Sequence, residues 1–177
     1  SITRLGRKYL RPSLVMLTGQ AMGADPKNLL TASAAMQISE EWILVHDDVE
    51  DNSQERRGQP ALHRLYGPEL AINAGDALHV LMWKAVFDVL KELPQVSNRL
   101  FEEYFQLLNR TTLGQTIDIE WTRDNILDLS QDDIFLILES KTCYYTISGP
   151  MRLGAIIAGA TEEQLNHLYQ FGIYLGR

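Results

Sequence analysis

The chain has 177 residues, of which 16 are Lys or Arg and 23 are Asp or Glu, so its formal net charge is −7. Hydrophobic residues make up 45% and charged residues 22%, a globular composition that argues against general disorder. No run of about 18 apolar residues occurs, which predicts no membrane span, and the acidic balance argues against non-specific nucleic-acid binding. The length predicts one domain, and the single cysteine, Cys143, predicts a reducing cytoplasmic setting without an intramolecular disulfide.

Glycine and proline fall mostly between apolar-periodic stretches, and alternating β-branched residues are scarce, so the chain is predicted to be almost entirely helical. A first helix is predicted from Pro12 toward Gly23, and Asp25-Pro26 is a start signal for a second. Apolar residues at helical spacing predict the face of the second helix that packs on one side, namely Leu30, Ala34, Ile38, Trp42, Val45 and Val49.

The rest of the chain alternates between polar loops and helical stretches. Residues 52–60 are predicted as a loop and residues 68–90 as a third helix, whose apolar middle predicts burial on several sides. A fourth helix is predicted over 95–121. A fifth begins at a capping segment, 130–133, and runs toward Gly149-Pro150, and a last one begins at Thr161.

Three aspartates at the end of the second helix are the strongest chemical signal. Asp47 and Asp51 lie one turn apart on one helix face, with Asp48 beside them. Carboxylates this close repel one another, and the C-terminal end of a helix is the unfavourable pole for anions. A divalent metal would relieve the repulsion, and hard oxygen ligands suit Mg²⁺. A solvated acidic helix end is the alternative.

Basic residues flank the aspartates on both sides in sequence. Arg56-Arg57 follow shortly after Asp51, and guanidinium groups bind phosphate through paired hydrogen bonds. Lys8 and Arg11 lie three residues apart, so a helical turn would point both side chains the same way. Each pair taken alone is more often part of a solvated basic surface.

In this order, the elements resemble the trans-isoprenyl diphosphate synthase (polyprenyl synthetase) family over the whole chain. The matching motifs are the G-x-K-x-x-R-P opening at 6–12, Asp47 to Asp51, Arg56-Arg57-Gly58, Gly75-Asp76, Gly114-Gln115-x-x-Asp118 and Lys141-Thr142. The resemblance implies an all-α bundle of isoprenoid-synthase type around a deep central cavity, usually in a homodimer.

The resemblance also implies a reaction, in which an allylic diphosphate ionises and the double bond of isopentenyl diphosphate attacks the cation. Asp47 and Asp51, with Asp48, would hold Mg²⁺ on the allylic diphosphate. The same site would be completed by Arg56, Lys141, Gln115 and Asp118, with Thr142 near the reacting carbons. The diphosphate of isopentenyl diphosphate would be held by Lys8, Arg11 and Arg57.

The chain departs from the family pattern in two ways. The position seven before Asp47 is usually His or Gln and helps to bind isopentenyl diphosphate, but here it is Glu40, whose carboxylate would repel a diphosphate unless Lys8 or Arg11 pairs with it. The family's second aspartate-rich motif, in its C-terminal half, is absent from residues 1–177. We therefore expect these residues to form an incomplete single domain, with its C-terminal part missing, that does not turn over alone.

Product length is predicted from the residues one turn before Asp47. Ile43 lies almost directly beneath Asp47 on the helix, and Trp42, rotated by a further 100°, is large. A bulky aromatic residue at this place resembles short-chain enzymes, which favours a farnesyl or geranylgeranyl product, with geranylgeranyl slightly ahead. The alternative is that Trp42 belongs only to the helical core.

Two other functions are compatible with parts of the pattern. Terpene cyclases share the aspartate-rich motif and its metal chemistry but use one substrate, and they lack the second diphosphate set. A non-catalytic subunit that regulates a partner synthase is the other alternative, left open by Glu40 and by the absent second motif.

Overall fold

Helices form most of residues 8–177, the part of the chain that the structure, a computed structural model, describes. The helices are α1 (Leu10–Ala21), α2 (Pro26–Glu50), α3 (Leu62–Tyr66), α4 (Pro68–Glu92), α5 (Ser97–Arg123), α6 (Gln131–Ile137), a π-helix (Leu138–Ser148), α7 (Gly149–Ile157) and α8 (Glu162–Gly176). The predicted all-α class is confirmed. No helix within the described residues is both long enough and apolar enough to span a bilayer.

Three of the predicted helix starts are found at their capping residues. The side chain of Asp25 accepts a hydrogen bond from the backbone N–H of Lys27 at 2.9 Å, which satisfies one of the free donors at the start of α2. Ser130 begins α6 and Thr161 begins α8, each through a reciprocal capping box. These helix starts could therefore be predicted from the capping residues in the sequence.

The buried face of α2 only partly matches the predicted one, in which Ile38 and Trp42 do pack against the core. Leu29 and Met36 are fully buried, whereas Leu30 is 59% exposed and Ala34 is also exposed. The polar residue Ser39 is fully buried, because its hydroxyl donates to the carbonyl of Met36 at 2.7 Å and lies 3.0 Å from the Tyr145 hydroxyl. The predicted face contained only apolar residues and therefore missed Ser39. A serine can be buried in the core when its hydroxyl is hydrogen-bonded.

Within a single chain, helix α4 is buried on one side only, whereas its apolar middle had predicted burial on several sides. Met82 and Val86 are buried in the core, but Val80, Leu81 and Phe87 are 70%, 56% and 57% exposed. The helix packs chiefly against α2, and its opposite face carries these apolar side chains at the protein surface. Its composition alone does not reveal which apolar residues face a neighbour.

The predicted loop at residues 52–60 contains a small hairpin. Strand β1 (Glu55–Arg56) pairs antiparallel with β2 (Gln59–Pro60). Arg57 and Gly58 connect them with positive φ angles of 56° and 74°, the backbone of a tight two-residue hairpin turn. The short helix α3 follows, and the prediction also missed it.

The fifth predicted helix is longer and less regular than expected. It continues through Gly149-Pro150 into α7, and its middle is the π-helix, in which hydrogen bonds join residues five apart. Helix α8 packs so closely on this segment that a Cβ at Gly172 would lie only 2.6 Å from the Cα of Ser148. π-helical turns are rare and often occur at functional sites, and this one carries Lys141 and Thr142.

Candidate active site

A cavity of about 360 Å³ lies between α2, α5 and the π-helix, with α1 at one side. One end is lined by Asp47, Glu50, Gln115 and Lys141, and the other includes Arg11 and Glu40. Glu40 and Asp47 are seven residues apart on α2, which corresponds to about 10 Å along the helix axis. The apolar part of the wall comes mainly from Trp42, Ile43, Leu44 and Ile119.

The structure brings four of the predicted site residues together from three helices. The amide nitrogen of Gln115 donates to Oδ1 of Asp47 at 3.3 Å and to Oε2 of Glu50 at 2.7 Å. The ammonium of Lys141 donates to Oδ2 of Asp118 at 2.7 Å and lies 3.8 Å from Oδ1 of Asp47. The sequence did not identify Glu50, although it precedes Asp51 at the same acidic helix end.

The close approach of α5 and the π-helix depends on Gly114. A Cβ at this position would lie 2.8 Å from the Cβ of Ser140 and 3.0 Å from the backbone nitrogen of Lys141, which is closer than packed atoms allow. The glycine therefore lets the two backbones touch, and Lys141 can reach Asp118 one turn further along α5. This gives a steric reason for the glycine in Gly114-Gln115-x-x-Asp118.

Negative charge is in excess at this end of the cavity. Burial raises the pKa of Asp51, and the carboxylates of Asp47, Asp118 and Glu50 raise it further, against the opposing charge of Lys141. Burial by itself lowers the pKa of Lys141, but the hydrogen bond to Asp118 and the surrounding carboxylates raise it overall. Lys141 is therefore held as a cation among carboxylates, and the remaining negative charge suits a divalent cation with oxygen ligands.

The described side chains do not by themselves form a metal site. Within residues 8–177, no three His, Cys, Asp or Glu side chains converge closely enough to hold a metal ion. Asp51 and Asp118 line a second, smaller cavity of about 220 Å³, and Glu50 lines both cavities. The donors are of the right chemical kind for Mg²⁺, and such a site would take further ligands from water or from a diphosphate.

Asp48 and Arg56 hold each other away from the cavity. Asp48 is 3% exposed, and its Oδ1 accepts a hydrogen bond from Nε of Arg56 at 2.8 Å. Arg56 also lies 3.2 Å from Oδ2 of Asp47. A metal role for Asp48 stays a prediction, and its burial against Arg56 argues instead that the pair orients Asp47.

Arg11 is fixed at the other end of the cavity by three partners. Its guanidinium lies 4.5 Å from the centre of the Tyr145 ring, donates to the hydroxyl of Thr146 at 2.9 Å, and lies 3.2 Å from Oε1 of Glu40. Its Nε is buried and has no hydrogen-bond partner among the described residues. Tyr145 and Thr146 were not predicted as site residues, although they lie one turn after the Lys141-Thr142 pair in the chain.

The other predicted diphosphate ligands differ in their surroundings. Arg57 lies 3.4 Å from Oε1 of Glu40 and 3.2 Å from Oε2 of Glu41, so both arginines share the Glu40 carboxylate. Lys8 is exposed and precedes α1, and Tyr9, which lies between Lys8 and the first residue of α1, has a positive φ of 49°. The sequence had predicted that Lys8 and Arg11 share one helical turn, but in the structure they do not. The predicted opening motif also includes residues 6 and 7, which lie outside the described residues.

Three threonines on α5 line or flank the cavity, and the sequence did not single them out. The hydroxyls of Thr111, Thr112 and Thr116 each donate to the carbonyl four residues earlier, at 2.8 to 3.0 Å. Because their hydroxyls are already bonded within the helix, these side chains add little polarity to the wall. The exposed Thr142 also lines the cavity, as do both predicted chain-length residues, Trp42 and Ile43.

The comparison with known proteins agrees with this geometry. Residues 1–177 match the family model described as Polyprenyl synthetase. The chain belongs to the polyprenyl synthetase family. Among its relatives in this family, a geranylgeranyl diphosphate synthase of Saccharolobus solfataricus is 31% identical over 172 residues, which are 97% of this chain and 51% of that protein. A short chain isoprenyl diphosphate synthase of Methanothermobacter thermautotrophicus is 30% identical over 176 residues, with the same coverage.

Solved structures of the family share the fold of this polyprenyl synthetase chain. A crystal structure of a geranylgeranyl pyrophosphate synthase superposes with a TM-score of 0.89 and 27% identity, over 99% of this chain and 52% of that one. A polyprenyl synthase of Caulobacter crescentus, complexed with calcium and isoprenyl diphosphate, gives a TM-score of 0.83 and 29% identity, over 97% and 49%. The chain spans about half the length of the relatives that it matches.

Proposed function

We propose that this protein is a prenyltransferase that condenses isopentenyl diphosphate head-to-tail with an allylic diphosphate. The observation that carries the proposal is one cavity with two differently charged ends and an apolar wall between helices. Asp47, Gln115 and Lys141 line one end, and Arg11 lines the other. This arrangement suits two diphosphate groups, one at each end, whose hydrocarbon chains lie against the apolar wall.

Each end would have its own part in the reaction. At the first, Lys141 would stabilise the charge that develops on the leaving diphosphate, and Thr142 would lie near the reacting carbons. At the second, Arg11 and Arg57 would bind the diphosphate of isopentenyl diphosphate, with Lys8 as a further cation. The wall would exclude water from the carbocation, which water would otherwise quench.

Mg²⁺ would be held by Asp47 and Asp51 from α2, opposite Asp118 of α5. When bound, it would stabilise the negative charge that the diphosphate gains as its bond to the allylic carbon breaks. The fit rests on the carboxylates of Asp47, Asp51 and Asp118 at this end of the cavity, where burial and the neighbouring carboxylates raise the pKa of Asp51. Arg56 would keep Asp47 in place through its contacts with Asp47 and Asp48.

The product would be a C15–C20 polyprenyl diphosphate, with geranylgeranyl slightly favoured. Trp42 and Ile43 in the cavity wall support a short product, since both lie one turn below Asp47. The names of the relatives favour a synthase over a terpene cyclase or a regulatory subunit. The site would work in the cytoplasm, consistent with the single, buried, free Cys143.

The test is incubation of the natural full-length protein with labelled isopentenyl diphosphate, an allylic diphosphate and Mg²⁺, followed by extraction of the prenyl products. We expect incorporation of label that is lost in Asp47→Asn. The same substitution at Asp88, on the outer surface of α4, is the matched control and should retain activity. A cyclase would not incorporate the label, and a regulatory subunit would incorporate none without its partner.

We also propose that the protein forms a homodimer through the exposed apolar side chains of α4 and α5. This surface comprises Val80, Leu81, Phe87, Phe101 and Phe105, which are 45 to 70% exposed. An apolar surface of this kind usually contacts a partner. Sedimentation equilibrium should give a dimer, and the charged variant Leu81→Glu should shift it toward monomer, whereas Leu127→Glu in the loop after α5 should not.

A further inference from the structure

Gln115 is the side chain of α5 that bridges to the acidic end of α2. Its amide nitrogen donates to Oε2 of Glu50 at 2.7 Å and to Oδ1 of Asp47 at 3.3 Å, and all three side chains line the cavity. Glu50 follows Asp47 by three residues, so the two carboxylates are neighbours on one helix face and a single amide can reach both. The shorter of the two bonds is the one to Glu50.

The two carboxylates fix which way the Gln115 amide faces. An ionised carboxylate can only accept hydrogen bonds, so the amide nitrogen has to point toward Asp47 and Glu50, and the amide oxygen has to point away from them. The nitrogen carries two hydrogens, and these two bonds use both. Gln115 can therefore donate to a substrate only after one of the two bonds is released.

Asp47 is the partner that Gln115 can release more easily. Its bond to Gln115 is the longer one, and the same Oδ1 atom lies 3.8 Å from the ammonium of Lys141, so a cation stays beside it. The side chain of Glu50, in contrast, has no hydrogen-bond or ion-pair partner other than Gln115 within residues 8–177. After Asp47 is released, Glu50 is the carboxylate that still orients the amide.

The position of Glu50 is unfavourable for folding. Glu50 is the last residue of α2, where the helix dipole disfavours anions, and it adds to the negative charge of Asp47 and Asp51. It is also exposed, so its side chain contributes little to the core. A glutamate at such a place, bonded to the amide of another cavity residue, points to a role in the reaction rather than in stability.

We propose that Glu50 is a positioning residue that orients the Gln115 amide, so that Gln115 donates a hydrogen bond to the departing diphosphate. This rests on the proposed prenyltransferase function. A diphosphate oxygen takes over the N–H that faces Asp47, and Glu50 retains the other. The new bond strengthens as the diphosphate gains negative charge, so it lowers the barrier to ionisation. Without Glu50, the amide can rotate by half a turn and present its oxygen, which repels the diphosphate.

The experiment compares Glu50→Ala with Glu50→Gln in the full-length protein. Both variants lose the negative charge, whereas only Glu50→Gln keeps an oxygen that accepts the bond from Gln115. We expect the kcat of Glu50→Ala to be about tenfold lower than that of Glu50→Gln, the effect of one hydrogen bond to a charged group, with the KM for isopentenyl diphosphate unchanged. Neither variant should melt below wild type. The same two substitutions at Glu120, exposed in the last turn of α5, are the control and should give equal kcat values.

The Gln115→Ala background shows whether Glu50 acts through Gln115. In that background, Glu50→Ala and Glu50→Gln should have equal kcat values. A difference that persists there, or equal kcat values when Gln115 is present, would overturn the proposal while leaving the prenyltransferase function intact. A melting temperature of Glu50→Ala well below that of Glu50→Gln, with equal kcat per folded molecule, would also overturn it, because a merely structural role gives this result.

If the wild-type protein does not condense its substrates, the prenyltransferase function itself fails. Calorimetry with inorganic diphosphate and Mg²⁺ then still tests the role of Glu50, because inorganic diphosphate carries the charge that the departing group acquires. Glu50→Ala should bind it about tenfold more weakly than Glu50→Gln does. Equal affinities of the two variants would contradict the proposal.

Discussion

The guanidinium of Arg11 lies 3.2 Å from Oε1 of Glu40, and the guanidinium of Arg57 lies 3.4 Å from the same oxygen. One carboxylate is thus shared by two cations that would face an incoming diphosphate. The carboxylate is only 15% exposed, so solvent screens this arrangement less than it would a surface pair. A diphosphate entering here has to compete with Glu40 for both guanidinium groups.

We predict that Glu40→Gln lowers the KM for isopentenyl diphosphate. The amide keeps the shape of the side chain and can still accept a hydrogen bond from Arg11, but it no longer repels the substrate. Removing one charge at about 4 Å is worth about 1 kcal/mol in bulk water and more at this partly buried site, so at least a roughly fivefold gain in affinity is expected. Steady-state kinetics at saturating allylic diphosphate measure this, with Glu102→Gln on the exposed face of α5 as the matched control.

A higher KM in Glu40→Gln would contradict this prediction. It would mean that the ionised Glu40 is needed to hold Arg11 and Arg57 in place, and that this positioning outweighs its repulsion of the substrate.

We predict that Gly114→Ala weakens both stability and activity. The new Cβ would meet the Cβ of Ser140 at 2.8 Å and the backbone of Lys141 at 3.0 Å, so α5 and the π-helix have to separate. Overpacking of this kind costs about 1–3 kcal/mol in the free energy of unfolding. Because Lys141 moves with its backbone, we also expect kcat to fall by more than the loss of folded protein explains. Denaturant unfolding and kinetics test the two effects, and Asn109→Ala on the exposed side of α5 should change neither.

The sequence predicted the residues of the site better than the segments that carry them. Asp47, Gln115, Asp118 and Lys141 were named from motifs, and the structure brings them together from three helices. A motif identifies site residues by their type and spacing. Its prediction therefore holds even where the predicted local secondary structure is wrong. The helix starts were also predictable, because capping depends on residues within a few positions of each other, as at Asp25.

What the sequence could not predict depends on contacts between distant segments. Ser39 is buried because Tyr145, more than a hundred residues away, lies against its hydroxyl. The π-helix and the short hairpin at Arg57-Gly58 have no characteristic spacing of apolar residues in the sequence by which they could be predicted. The pairing of Asp48 with Arg56 likewise follows from that hairpin, which turns the chain back toward α2.

We predict that Gly75→Ala displaces His46. A Cβ at Gly75 would lie 2.3 Å from Nε2 of the His46 ring, which lies 3.1 Å from the carbonyl oxygen of Ile72 and is thereby packed on α4. Because His46 precedes Asp47 on α2, we expect the displacement to weaken the response to Mg²⁺. The concentration of Mg²⁺ that gives half-maximal activity should rise in Gly75→Ala and stay unchanged in Ala77→Ser, an exposed position on the same helix. An unchanged Mg²⁺ dependence together with a lower melting temperature would limit the role of Gly75 to packing.

We predict that Arg152→Met is the most destabilising of these substitutions. Glu103 is only 4% exposed, and its carboxylate accepts hydrogen bonds from Arg152 at 2.7 to 3.0 Å and from the Tyr144 hydroxyl at 2.6 Å. Removing the guanidinium leaves a buried carboxylate without its counter-ion, which costs about 3–5 kcal/mol in the free energy of unfolding.

Denaturant unfolding of the full-length protein measures this cost, and the exposed Lys84–Asp88 pair provides the comparison. Lys84→Met should cost only about 0.5 kcal/mol, because an exposed pair one turn apart on a helix contributes little. The double variant Glu103→Leu/Arg152→Met removes both charges and should recover much of the stability lost in Arg152→Met, although the Tyr144 hydroxyl then loses its acceptor. If the double variant is no more stable than Arg152→Met, then the loss comes from the bond of Arg152 to the carbonyl of Leu165 and from its packing rather than from the stranded charge of Glu103.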